Sequence, residues 1–183
     1  LTGLRAIPNL NVFRPADINE TLECWEIALK SKNTPSVIAL SRQKLPYINP
    51  SHTKENKSEL GAYTVNATSQ ENDVTLVASG SEVELALQAQ KELKEINIDS
   101  KVVSMPCQEL FNQQSISYKN EIINKKVPTI TIEASSVNSW EKYSENNMGI
   151  ETFGESAPFK EVYSHFNLTS AKIVELAKKI IKK

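Results

Sequence analysis

Residues Val74-Thr75-Leu76-Val77-Ala78 form a short, mostly apolar run that passes through Ser79-Gly80-Ser81 into a stretch of helical periodicity. A run of this length without polar alternation is what a strand covered on both faces requires, and parallel sheets supply that environment. Beyond the turn, Val83, Ala86, Ala89, Leu93 and Ile96 trace one helical face. Lys101–Ser104 reads as the next strand, stopped by Pro106, and a helix falls within Ser115–Asn124. Thr129–Ile132 is a third strand. The same order appears earlier in the chain. Asn9–Phe13 is a short strand, and Val37–Leu40 reads as one covered on both faces. Between them Ile18, Leu22, Trp25 and Leu29, spaced four, three and four apart, predict an inward helical face. Strands alternating with helices imply an α/β fold with a mostly parallel sheet and helices on both faces.

Local signals refine the layout. Asp17 with Glu20, and Ser81 with Glu84, have the spacing of capping boxes. The spacing also predicts a short helix near Trp140, a strand near Glu151–Phe153 and a helix over Glu161–Phe166. A final helix starts at Thr169 or Ser170 and turns Ile173, Leu176, Ala177 and Ile180 inward. Between Pro46 and Asn72, Pro, Ser, Asn, Lys and Glu dominate, which reads as a linker over residues 49–69 with a short strand around Ala62–Val65.

Composition excludes several functions. The formal net charge is −1, so no basic field advertises nucleic acid or an anionic membrane. No apolar run approaches the roughly 20 residues that span a bilayer. Cys24 and Cys107 are far apart and His52 and His165 are isolated, which argues against a disulfide framework, a zinc cage or a histidine triad, and fits a reducing cytoplasm. Leu1-Thr2-Gly3-Leu4-Arg5 has no initiator Met and no signal-peptide layout, and reads as an internal cut.

Ligands of open α/β sheets gather at the carboxyl ends of strands. Ser41-Arg42-Gln43 meets that condition, and its guanidinium suits either a phosphate or a salt bridge at a domain boundary. Ser79-Gly80-Ser81-Glu82 leads a strand into a helix N-terminus, where an anion could rest, but one glycine and a serine cap account for it as a plain turn. Asp17 and Glu20 could do acid–base work, although their spacing is that of a cap. Trp140 and Tyr143 read as core packing, His165 as a half-buried structural imidazole and Cys24 as a core edge.

A colinear series of motifs then identifies a family. Leu4-Arg5-Ala6-Ile7-Pro8-Asn9, Val12-Phe13-Arg14-Pro15-Ala16-Asp17 and Pro35 to Pro46, including Ser41-Arg42-Gln43, resemble the end of the transketolase pyrimidine-binding domain. Ala78 to Val83, Val102 to Pro106, Glu109-Leu110-Phe111, Trp140 to Tyr143, Phe153 to Pro158 and Phe166 to Thr169 resemble its Rossmann-like C-terminal domain. The resemblance divides the chain into a βαβ remnant over 1–48, the linker, and a C-terminal domain over 70–183. The stretch Asn146 to Ile150 is shorter than its glycine-rich counterpart in many bacterial members.

The resemblance implies a transferase of the pentose phosphate pathway. Such an enzyme moves a two-carbon ketol unit from a ketose phosphate to an aldose phosphate, with thiamin diphosphate and a divalent cation, Mg²⁺ or Ca²⁺. It assigns Arg42 to the substrate phosphate and implies a cytoplasmic homodimer. The family's D-G-P-T-H motif, its activating glutamate and its G-D-G motif match no residue here. The chain alone is therefore expected to bind neither cofactor nor metal and to be inactive. Alternatives are another thiamin-dependent ketol transferase, such as dihydroxyacetone synthase, and a non-catalytic α/β association module.

Overall fold

The computed structural model describes residues 1–48 and 55–181. A single helical turn, α1 (Thr2–Arg5), leads into strand β1 (Asn11–Phe13), helix α2 (Ile18–Lys30) and strand β2 (Ser36–Ile38). β1 and β2 pair in parallel, with Val12 opposite Val37. Asp17 caps α2 by accepting from the Glu20 backbone N–H, and the Glu20 side chain reaches back past the cap to the Ala16 N–H, a capping box displaced by one residue on its return bond.

The stretch expected to be a linker has definite structure in its described part. A 3₁₀ turn over Lys57–Leu60, capped by Asn56, is followed by strand β3 (Tyr63–Ala67). Ser58 donates twice to the Glu23 carboxylate of α2, which ties the turn to the first unit. β3 then joins the second sheet, so the strand read around Ala62–Val65 is a member of that sheet. Its polar alternation marks an edge strand, and the surrounding composition concealed its place in the sheet, though not the strand itself.

The second unit continues with β4 (Val74–Ala78), α3 (Glu82–Glu95), β5 (Ser100–Ser104), α4 (Gln108–Gln113), α5 (Ile116–Ile122) and β6 (Thr129–Ile132). β7 (Asn146–Met148), α6 (Phe159–His165) and α7 (Ser170–Ile180) complete it. The sheet order is β3-β5-β4-β6-β7, parallel except for β3, which runs antiparallel to β5. Side chains alternate across it. Leu76, Ala78, Val102 and Ile130 pack under α3 and α7, while Val77 and Val103 meet Phe111, Ile122 and Trp140 on the other face. This is the α/β class expected, with helices on both faces.

Several local expectations fail. Ile18, Leu22, Trp25 and Leu29 do lie along one face of α2, but they are 49–79% exposed. The helix docks instead through Glu20, Cys24 and Ile27, and Cys24 is fully buried beside Phe13 and Cys107. Periodicity finds a face, not what covers it. β2 is only partly buried, because β1 is its sole strand partner among the described residues. Ser81 makes no cap hydrogen bond, since its hydroxyl is engaged by Glu82 and Tyr163. Regular structure is absent at 151–153, where Phe153 is almost wholly exposed, and the edge strand forms earlier, at β7. His165 is exposed, its ring edge-on to Phe166. His52 lies outside the described residues.

Candidate functional site

The strand order of the second unit fixes where a ligand crevice should be. The chain leaves β4 for β5 on one side and returns to β6 on the other, so the connections diverge at the carboxyl ends of β4 and β6. Crevices of this kind are the usual ligand positions in open α/β sheets. In this protein two arginines of the first unit fill it. Arg14, just beyond β1, contacts the Ser79 carbonyl and hydroxyl, each at 3.2 Å, and pairs with Glu82. Arg5, at the end of α1, makes two 2.7 Å hydrogen bonds to the two oxygens of Glu133, which immediately follows β6. Ser79 and Trp140 also donate to Glu133, at 2.5 and 2.9 Å.

The electrostatics follow from this packing. Burial alone would raise the Glu133 pKa, but the Arg5 hydrogen bonds and the charges of Arg5 and Arg14 outweigh it and hold it at about 2. Burial would lower the Arg14 pKa; Glu82 and Glu133 reverse that and raise it. Gly80, at φ +56°, lets the turn close over Arg14, and a Cβ there would approach the Arg14 Cγ to 2.8 Å. The turn that could have received an anion therefore wraps a cation from the same chain and faces two carboxylates.

Arg42 lies outside this network. After β2 the Ala39 N–H still pairs with the Phe13 carbonyl at 2.8 Å, and Ser41-Arg42-Gln43 follows without regular structure. The Arg42 side chain is exposed and has no ion-pair or hydrogen-bond partner among the described residues. Its neighbours are oriented the other way: the Ser41 hydroxyl reaches Ser81 and the Gln43 amide reaches the Tyr163 hydroxyl, both at 3.4 Å.

Family models match the two parts in chain order. The transketolase pyrimidine-binding domain covers residues 1–48, and the transketolase-like C-terminal domain covers residues 61–169. The chain belongs to the transketolase family. A transketolase of Sinorhizobium medicae is 46% identical over 187 residues, covering all of this chain and 27% of that protein. Transketolase from Leishmania mexicana superposes with a TM-score of 0.90 at 38% identity, over 99% of this chain and 26% of that one. A Pichia stipitis transketolase solved with sedoheptulose 7-phosphate gives 0.91 at 37%, over 98% and 26%. The chain thus spans about a quarter of the length of these relatives.

The transketolase cofactor and cation can be tested against the residues present. A diphosphate needs free N–H donors and positive charge, and the Gly80 turn offers neither, being occupied by Arg14 and flanked by Glu82 and Glu133. No group of three or more His, Cys, Asp or Glu side chains among the described residues is arranged to hold a metal ion. The Gly80 turn therefore does not fit a diphosphate.

Of the residues singled out in the sequence, Arg42 retains a free functional group. Trp140 and Tyr143 are core neighbours, with ring centroids 5.9 Å apart. Glu20 is buried under the Tyr63 and Ser104 hydroxyls, away from any opening. Both thiols are pushed up by burial, Cys107 to about 12, and stay protonated. Arg5, Arg14, Glu133 and Tyr163 were missed, and Glu82 was read only as part of a turn. The available signal was two acidic residues, Glu82 and Glu133, just past the ends of adjacent buried strands, which demand cationic partners.

Proposed function

We propose that this chain is part of a transketolase that moves a two-carbon ketol unit from a ketose phosphate to an aldose phosphate, and that Arg42 grips the sugar phosphate. The observation that carries this reading is the placement of Arg42: a guanidinium at the carboxyl end of a parallel strand, exposed, with neighbours anchored and its own donors unspent. Guanidinium forks bind phosphate through paired, charge-assisted hydrogen bonds and remain charged at any working pH. A relative crystallised with sedoheptulose 7-phosphate is consistent with that substrate class.

When bound, thiamin diphosphate supplies the stabilised carbanion that carries the two-carbon fragment. Residues outside this chain would hold it and its Mg²⁺ or Ca²⁺, and the chain alone would be inactive. The contribution of these residues is to bind and orient the phosphorylated end of the sugar. A cytoplasmic homodimer belongs to the same reading.

The test is Arg42→Ala in the complete enzyme, assayed with sedoheptulose 7-phosphate and with sedoheptulose. Loss of a charge-assisted hydrogen bond costs about 1.5–3 kcal/mol, so kcat/KM for the phosphorylated donor should fall roughly 10- to 150-fold, with little change for the free sugar. An equal fall on both would make Arg42 a structural residue.

A further inference from the structure

Two hydroxyls of the C-terminal domain stand behind the segment that carries Arg42. On one side the Gln43 amide N–H₂ donates to the Tyr163 hydroxyl, which donates in turn to Glu82 Oε1 at 2.5 Å. On the other side the Ser41 hydroxyl donates to Ser81, whose hydroxyl lies 2.7 Å from the same Glu82 oxygen. Ser81 and Tyr163 are themselves 2.9 Å apart. The Tyr163 and Ser81 hydroxyls thus both donate to one carboxylate oxygen, and each accepts from a neighbour of Arg42. The other oxygen of Glu82 pairs with Arg14 and accepts the Ala134 N–H at 3.0 Å, so Glu82 cannot turn away. The two residues flanking Arg42 are thus each one hydroxyl removed from a fixed, fully buried anchor.

We infer that Tyr163 and Ser81 are positioning residues for the phosphate site: they hold Gln43 and Ser41 against the C-terminal domain and so aim Arg42 outward. This rests on the reading of Arg42 as the phosphate ligand. The contacts to Ser41 and Gln43 are long, at 3.4 Å, so each contributes modestly. They act as a pair on both sides of a segment whose far end is fixed where Asp17 accepts the Ile48 N–H at 3.0 Å. The Tyr163 phenol, shielded by burial and facing Glu82, has its pKa raised to about 12 and keeps its proton for Glu82. The phenol therefore keeps its donation to Glu82 across the working pH range while its oxygen accepts from Gln43. Binding a phosphate to an arginine already held in place avoids the entropy of ordering it afterwards.

The experiment is Tyr163→Phe in the complete enzyme, with Gln43→Met as a second variant that removes the same link from the loop side without touching a buried group. Loss of one neutral hydrogen bond corresponds to about a 2- to 12-fold change. The expected result is a rise of that size in KM for sedoheptulose 7-phosphate in both variants, with kcat within about twofold and the free sugar unaffected. In an Arg42→Ala background neither variant should add a further loss on the phosphorylated donor. Equal losses on both sugars, or a full additional loss in the Arg42→Ala background, would overturn the positioning role. If Arg42→Ala by itself fails to discriminate between the sugars, it is the phosphate assignment that falls, and the two failures are separable.

Discussion

Glu20 and Glu133 are both buried carboxyls, yet they lie on opposite sides of the ordinary carboxylate range. Glu133 has two arginines and is held at about 2, whereas burial pushes Glu20, which has only hydroxyl and backbone donors, up to about 7. A carboxyl whose pKa is higher folded than unfolded binds extra protons in the folded state, so its contribution to stability declines as pH rises from about 4.5 to about 7 and is level above. The depressed Glu133 acts in reverse: its contribution is complete above about 4.5 and fades as pH falls toward 2. The two effects occupy separate windows. Glu20→Gln should therefore flatten the decline in stability between pH 5 and pH 7.5, a difference on the order of 3 kcal/mol at most. Thermal melts of both proteins across that range check it, and parallel curves would show that Glu20 is not the titrating group.

At the scale of the element, the tightest constraint is Gly61, which ends the 3₁₀ turn before β3 at φ +75°. A Cβ there would meet the Phe111 backbone nitrogen at 2.1 Å and the Cys107 carbonyl oxygen at 2.5 Å, both backbone atoms at the start of α4. Gly61→Ala combines an unfavourable left-handed conformation with overpacking, and should cost about 3 kcal/mol or more. Gly3→Ala meets nothing within 4 Å and should leave the melting temperature nearly unchanged, which makes it the natural control. The elements themselves were largely legible. Val74–Ala78 and Thr129–Ile132 were readable because buried parallel strands are continuous apolar runs, and those bounds match the structure. β3 was readable as a short strand but not as a member of the second sheet, and α4 was obscured by its brevity. The α2 stripe was legible as a stripe, but sequence periodicity carries no information about which surface meets it. Arg42 was visible as a residue at a strand end; what the sequence could not show was that Ser41 and Gln43 turn toward Ser81 and Tyr163 while Arg42 does not.

On the scale of the molecule, the first unit is fastened to the second by charge as well as by apolar packing. Arg5 and Arg14 enter the crevice between β4 and β6, and Glu82 and Glu133 have almost no solvent of their own. Removing one partner of a buried pair is far more costly than never having had the pair, typically about 3–5 kcal/mol. A chain reduced to residues 61–183 should therefore fold poorly at neutral pH and recover stability as the pH is lowered toward protonation of Glu133, which has lost the arginines that held its pKa down. Circular dichroism melts of the two lengths at pH 5 and pH 7.5 measure this; equal stability at both would show that the arginines contribute little to the union.

The closed crevice also limits what this architecture can become. The position where other α/β sheets admit nucleotides and phosphates serves here as a mortise for two side chains of the neighbouring unit. A substitution that opened the crevice to a new ligand would have to displace Arg14, release Glu82, and with it the hydroxyls that steady the Arg42 segment. Innovation at one place would be felt as lost grip at the other, so a lineage that depends on that grip has little freedom to reopen the crevice.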